Sequence, residues 1–270
     1  MSGFSDRVAL GRTELQVSRI GIGSSYGPSP RACLQAFDAG VNYFFWGSVR
    51  TRGMGYALRE LALTHRDEMV IVLESYARGR WTLRRSVDKG LRALGVDHAD
   101  ILLLGWHDHP APARLVEEAA RLRERGRVRF LAMSSHQRPL IRDCVREGLF
   151  DLYHLRYNAA HPGAEVDIFP HLPEQGGPGI VSFTNTRWGT LLDERNMPPG
   201  EAPPSAADCY RFVLSNPHVH VAIAGPKSNR EMEEALRVLG MGPMSAEEED
   251  RMRAIGAHVH ETRSIMAALT

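Results

Sequence analysis

The residues best suited to chemistry fall in a few short clusters. Gly225-Pro226-Lys227-Ser228-Asn229-Arg230 stands just before a stretch of helical periodicity. A helix N-terminus offers free amides and a partial positive charge, so with Lys227 and Arg230 beside it this run suits a phosphate; a loop that merely caps the helix would read the same way. His107-Asp108-His109 offers acid–base or metal-binding groups, histidine being the side chain tuned for proton transfer near neutrality. No third ligand stands at zinc-site spacing, so no metal is expected, and a solvent-exposed loop histidine is the plainer alternative. Cys33, Cys144 and Cys209 lie far apart and are odd in number, which fits reduced thiols better than a disulfide framework.

These groups need elements to hold them. Short apolar runs recur along the chain, each followed by a longer segment of helical periodicity, the pattern of βα units. Eight strands are expected: Arg19 to Gly23, Asn42 to Phe45, Met69 to Glu74, Asp100 to Leu104, Val128 to Ser134, Leu152 to Tyr157, Gly179 to Phe183 and Val219 to Ala224. Eight such units close into a barrel with functional groups on the loops after the strands. Val8 to Val17, turning at Gly11-Arg12-Thr13, reads as a hairpin that closes the bottom. The fold class is therefore α/β: a (β/α)8 TIM barrel with an N-terminal β-hairpin and a C-terminal helical extension, one domain over residues 1–270. The Pro- and Gly-rich stretch Asn196 to Pro204 follows the seventh strand and is either a lid or a disordered surface loop. Trp46, Trp106 and Trp188 fall just after the second, fourth and seventh strands and are expected to line one pocket at the mouth, suited to a flat aromatic ligand, or else to plug it. Arg156, Arg187 and His136 also leave strand ends, where they suit an anionic substrate or stand as surface charges.

Composition narrows the partners. With 43% hydrophobic residues over 270, the chain has apolar material for one large core. Lys plus Arg total 33 against 32 for Asp plus Glu, so the electrostatic footprint of a nucleic-acid or membrane-surface protein is missing. No apolar signal-peptide region opens the sequence and no run reaches membrane-spanning length, so a cytoplasmic protein with a small-molecule partner is expected. Oligomeric state is left open.

Six collinear segments resemble the aldo-keto reductase family. Leu10-Gly11-Arg12-Thr13 with Val17 to Gly23 is similar to its N-terminal signature, and Ala39-Gly40-Val41-Asn42-Tyr43-Phe44 to its second strand. Leu91 to Leu104, Gly126 to Ser135, Tyr157-Asn158 and Leu214 to Ser228 resemble later segments, the last being the eighth strand and phosphate loop. The resemblance implies NADPH-dependent carbonyl reduction by an Asp, Tyr, Lys and His set after strands two to four. At those positions this chain has Phe45, Arg50, Glu74 and Gly105. Phe45 and Gly105 neither donate nor accept a proton. Arg50 is a poor general acid but can polarise a carbonyl. Glu74 acts as acid or base only if burial raises its pKa toward neutrality, and His107 stands two residues past the vacant His position. Arg50 and Glu74 reverse the family's polarity, which suggests an ion pair across the mouth or, equally, two solvated rim charges.

For the cofactor, the resemblance implies a nicotinamide amide held by Ser134, which matches the family, with Ser135 and His154 replacing the family's Asn and Gln, Phe183 near the ring-stacking position, and Gly225, Lys227, Ser228 and Arg230 at the phosphates. The family's adenine contacts would fall at Glu231 and Ala235, which do not match. The expected function is an aldo-keto reductase-like oxidoreductase that binds NADP(H) and acts on a carbonyl or alcohol with a non-standard proton donor. The alternative is a barrel without redox activity, an isomerase- or lyase-type enzyme or a ligand-binding pseudoenzyme.

Overall fold

The computed structural model describes residues 3–47 and 49–268, with residues 263–268 described by their backbone. Two short antiparallel strands, β1 (Val8–Ala9) and β2 (Gln16–Val17), form the expected hairpin. Eight parallel strands follow and close on themselves: β3 (Ile20–Gly23), β4 (Tyr43–Trp46), β5 (Val70–Ser75), β6 (Ala99–Leu104), β7 (Val128–Ser135), β8 (Leu152–Arg156), β9 (Gly179–Phe183) and β10 (Val221–Ala224), with β10 pairing back to β3. Each strand lies within two residues of the span its apolar run indicated.

The crossovers carry α1 (Pro30–Asp38), α2 (Arg52–His65), α3 (Arg80–Leu94), α4 (Ala113–Glu124), α5 (Arg138–Glu147), the single turn α6 (Ala164–Asp167), α7 (Ala206–Ser215) and α8 (Asn229–Leu236), and α9 (Ala246–Ala268) ends the chain. Capping signals set several of these ends. Ser29 and Ser205 accept helix N-terminal amides, and α3 and α5 stop at Gly95 and Gly148 in the left-handed conformation that glycine adopts without strain. Among the described residues no helix is long and apolar enough to cross a membrane.

Strand alternation divides the core in two. One set, including Tyr43, Val70, Val72, Ile101, Leu103, Ala132, Leu152 and Val221, fills the barrel interior together with Leu10, Leu15 and Val17 of the hairpin, which plugs the bottom. The other, including Phe44, Ile71, Leu102, Tyr153 and Leu155, packs outward against the helices. This alternation corrects one expectation: Trp46 takes the outward parity of Phe44. Its indole donates to the Thr51 carbonyl at 3.1 Å and it packs against Gly55 of α2 and Gly90 of α3, away from the mouth.

The Pro- and Gly-rich stretch is held rather than loose. Asn196 donates to the Thr190 carbonyl at 3.0 Å, Met197 is buried, and Glu201 pairs with Arg251 of α9 at 2.6 Å.

Candidate functional site

The crevice at the C-terminal ends of the strands is open. A cavity of about 1080 Å³ runs from the barrel mouth, where Phe45, Glu74, Ser134, His154 and Phe183 line it, past Thr184 to Gly189 and Pro204 to Ala206, to Gly225, Lys227, Ser228 and Arg230. Trp106 and Trp188 also line it, whereas Trp46, Arg50 and His107 do not.

Glu74 is an inward residue of β5, on the parity of Val70 and Val72. Burial pushes its carboxyl up to about 7, opposed only in part by a hydrogen bond from the Tyr76 hydroxyl. Its Oε2 is buried without a hydrogen-bond partner. Two glycines make room for it. A Cβ at Gly47 would meet Glu74 Cβ at 2.3 Å, and a Cβ at Gly105 would meet Glu74 Oε1 at 2.7 Å and Tyr76 Cε1 at 3.0 Å. The position where the resemblance expects a histidine is therefore space that Glu74 and Tyr76 occupy.

Of the two readings of Arg50 and Glu74, the ion pair does not form among the described residues, and only Arg50 is the solvated rim charge of the other reading. Arg50 is exposed, has φ +55° and lies beside Gly27, and the carboxyl that was to meet it is turned into the glycine-lined slot. His107 is buried behind the wall: its amide donates to the Ser134 carbonyl at 3.0 Å, its Nε2 has no partner, and burial with the nearby Arg78 lowers its pKa to about 4. It is a neutral imidazole at pH 7, outside the cavity.

At the mouth, His154 is fully enclosed, and its Nε2 shares a 2.8 Å hydrogen bond with the Tyr43 hydroxyl across the barrel interior. Burial lowers its pKa to about 3, so it too is neutral. Ser134 Oγ accepts the Trp106 amide at 2.9 Å, and Ser135 Oγ accepts the Gln137 amide at 2.9 Å. The His136 ring meets Phe183 and Trp106 edge-on, at centroid distances of 5.3 and 5.7 Å.

At the far end, Ser228 caps α8 by accepting the Glu231 amide at 3.2 Å. Glu231 Oε2 in turn accepts the Lys227 amide at 2.7 Å, so one of the amides that suits a phosphate already holds a carboxylate. Lys227 Nζ lies 5.3 Å from the ring centroid of Tyr26, and a Cβ at Gly225 would strike that ring at 2.6 Å.

Sequence reasoning missed Tyr76, Tyr26 and Thr184. Glu74-x-Tyr76 carried a signal, since alternation continued one residue past β5 turns both to the same side. Tyr26 and Thr184 sit on loops that carry no such periodicity. Thr184, Arg187 and Trp188 have φ of +56°, +50° and +54°, and Trp106 has +42°: non-glycine residues in the left-handed region, of which Thr184, Trp188 and Trp106 line the cavity. Among the described residues, no group of three or more His, Cys, Asp or Glu is placed to hold a metal ion.

No family model matches the chain. L-galactose dehydrogenase of Arabidopsis thaliana is 25% identical over 217 aligned residues, covering 69% of this chain and 67% of that protein. An aldo-keto reductase of Bacillus halodurans in its holo form superposes with a TM-score of 0.79 over 93% of this chain and 96% of its own, at 17% identity. Its apo form gives 0.76 over 93% and 95%, at 20% identity. The resemblance read from six sequence segments thus holds in three dimensions, and in fold the chain is an aldo-keto reductase-like barrel.

Proposed function

We propose that this protein is an aldo-keto reductase-like oxidoreductase that binds NADP(H) and interconverts a carbonyl and an alcohol, with Glu74 and Tyr76 as its proton-carrying pair. The observation that carries the reading is the single cavity joining Glu74 to the cationic loop at Lys227. At about 1080 Å³ it slightly exceeds the roughly 300–1,000 Å³ of small-molecule sites, room enough for an extended dinucleotide. The similarity to a plant dehydrogenase supports the same class of reaction.

The residues present fit the cofactor. Lys227 and Arg230 give the phosphate end its positive charge, with the α8 N-terminus behind them. Ser134, Ser135 and His154 line the mouth end of the cavity and are assigned to the nicotinamide amide on this reading, with Phe183 offering its ring. When bound, the cofactor supplies or takes up the hydride at the substrate carbon. The chain's own part is the proton. Tyr76, which lines the cavity, hands its hydroxyl proton to the carbonyl oxygen, and Glu74, hydrogen-bonded to Tyr76, replaces it. In oxidation the proton runs the other way, and Glu74 must be ionised to receive it. Arg50 and His107 have no part in this scheme.

The rival, a ligand-binding barrel without redox chemistry, draws on Glu231, whose carboxylate already occupies the Lys227 amide. Titration with NADPH and NADP, followed by melting temperature or by tryptophan fluorescence, separates the two. A ligand at 100 times its dissociation constant stabilises by about 2.7 kcal/mol. Trp106 and Trp188 line the cavity and report directly. No shift at millimolar cofactor eliminates the proposal.

A further inference from the structure

The barrel mouth holds a cation that this chemistry does not use. Arg156 ends β8 on the parity of Leu152 and His154; it is not itself among the residues that line the cavity but stands at its edge, next to lining residues on both neighbouring strands. Its Cα partner on β9 is Phe183. On its other flank, Ser134 pairs with His154, so the chain leaving β7 brings His136 alongside, where burial first and the Arg156 charge second lower the imidazole pKa. Phe183 and His136 both line the cavity and touch edge to face.

Arg156 is half-buried, and among the described residues it has neither a hydrogen bond nor an ion pair. The nearby carboxylates are engaged elsewhere. Asp167 holds Arg138 at 2.5 Å, Glu165 holds Arg253 at 3.0 Å and accepts the Tyr157 hydroxyl at 2.5 Å, and Asp108 accepts the Trp106 indole at 3.0 Å. The charge that acts on Arg156 itself repels it. Arg138 opposes the charge of Arg156, and Arg156, Arg187 and Arg138 all act with burial to hold His161 neutral, its pKa lowered to about 3. A guanidinium drawn partly out of water among like charges is stabilised by an anion that enters beside it. One residue beyond Phe183, Thr184 lines the cavity and keeps a buried hydroxyl with no partner, a donor for the same ligand.

We propose that the substrate carries an oxyanion, a carboxylate or a phosphate, that Arg156 receives beside the His136–Phe183 edge while the remainder of the molecule lies toward Glu74. This rests on the reading of the cavity as the substrate and cofactor site. It makes Arg156 a specificity determinant, since a planar guanidinium fork matches two oxygens of either head group. The aromatic edges of Trp106, His136 and Phe183 favour a flat ring next to the charge.

The test is calorimetric titration of the full chain with benzoate, phenyl phosphate and benzyl alcohol, each with and without NADPH. At least one anion is expected to bind at least about tenfold more tightly than the alcohol, the tighter anion naming the head group. Arg156→Gln is expected to remove that margin, with alcohol and NADPH affinities within about twofold of the parent, and Arg156→Lys to keep part of it. Equal binding of the three probes, binding of none, or an Arg156→Gln variant that holds the anion as tightly as the parent overturns the proposal. If Arg156→Gln does not fold, the contrast between anion and alcohol in the parent decides. NADPH binding without anion binding refutes this inference alone, and anion binding without NADPH binding refutes the cofactor reading alone.

Discussion

Glu74 is the residue on which the proposed chemistry turns, and its environment makes a prediction with a definite sign. Burial raises its pKa from 4.5 to about 7, so the folded chain holds this proton more tightly than the unfolded chain does. Stability relative to a neutral side chain is thus undiminished below about pH 4.5, falls as pH rises toward 7, and stays reduced above that. At about 1.4 kcal/mol per unit, the ionised carboxylate costs on the order of 3 kcal/mol. Glu74→Gln keeps the shape and an acceptor for Tyr76, so the variant should melt above the parent at pH 8, with the gap closing toward pH 5. In the parent, carbonyl reduction should decline as pH rises through about 7, because the reservoir that reprotonates Tyr76 empties. The variant should lose that inflection and about 10²- to 10⁴-fold in rate. A parent profile that is flat across pH 6–8 sinks the role of Glu74. At this scale the sequence was partly legible. The substitution of Glu for the family's Lys was visible, but the slot between Gly47 and Gly105 that shields the carboxyl exists only once three strands lie side by side. The outward turn of Trp46 could have been read from the inward assignment of Phe45 by alternation alone.

Among the elements, strands and loops differ in what they reveal. The barrel strands are apolar on both faces, interior and helix-facing, so they stand out as short unbroken runs. The loop after β9 does not. Its left-handed residues Thr184, Arg187 and Trp188 are not glycines and leave no mark in the sequence, although such conformations cost on the order of 1–3 kcal/mol each. They are held by contacts from distant parts of the chain: Asn158 donates to the Thr184 carbonyl at 2.8 Å, and Arg187 donates to the Val259 carbonyl at 2.5 Å. The start of α8 shows a conflict between structure and binding. Glu231 stabilises the helix through the Lys227 amide, yet it competes with any phosphate for that amide. Glu231→Gln should cost about 0.3–1 kcal/mol of stability and tighten NADPH by a similar amount, roughly two- to fivefold in dissociation constant. Thermal melting and a fluorescence titration read both. A weaker NADPH complex in the variant would mean that Glu231 itself contacts the cofactor, as a carboxylate does when it accepts ribose hydroxyls.

For the whole molecule, the barrel separates its tasks by end. The mouth carries the cavity, the strained loop and the titratable carboxyl; the bottom carries the hairpin, whose Leu10, Leu15 and Val17 complete the interior core. Position 11 requires glycine twice over, because the turn has φ +56° and a Cβ would strike the Gly179 backbone nitrogen at 2.3 Å, while Arg12 ties the hairpin down through the carbonyls of Gly177 and Phe150, each at 2.8 Å. This architecture persists at 17% identity to a solved relative because alternation and close packing constrain residue class and volume more than residue identity. The same tolerance explains why the sequence disclosed the barrel more readily than its occupant. The division by end predicts that stability and binding can be altered independently. Leu10→Ala empties a fully buried site at the bottom and should cost about 2–5 kcal/mol, lowering the melting temperature by on the order of 10 °C for a chain of this size. NADPH affinity, measured below the transition, should stay at the parent value, because no residue lining the cavity comes from the hairpin. If affinity falls in step with melting temperature, the two ends are coupled through the interior stack in which His154 meets Tyr43, and the mouth is not the self-contained site proposed.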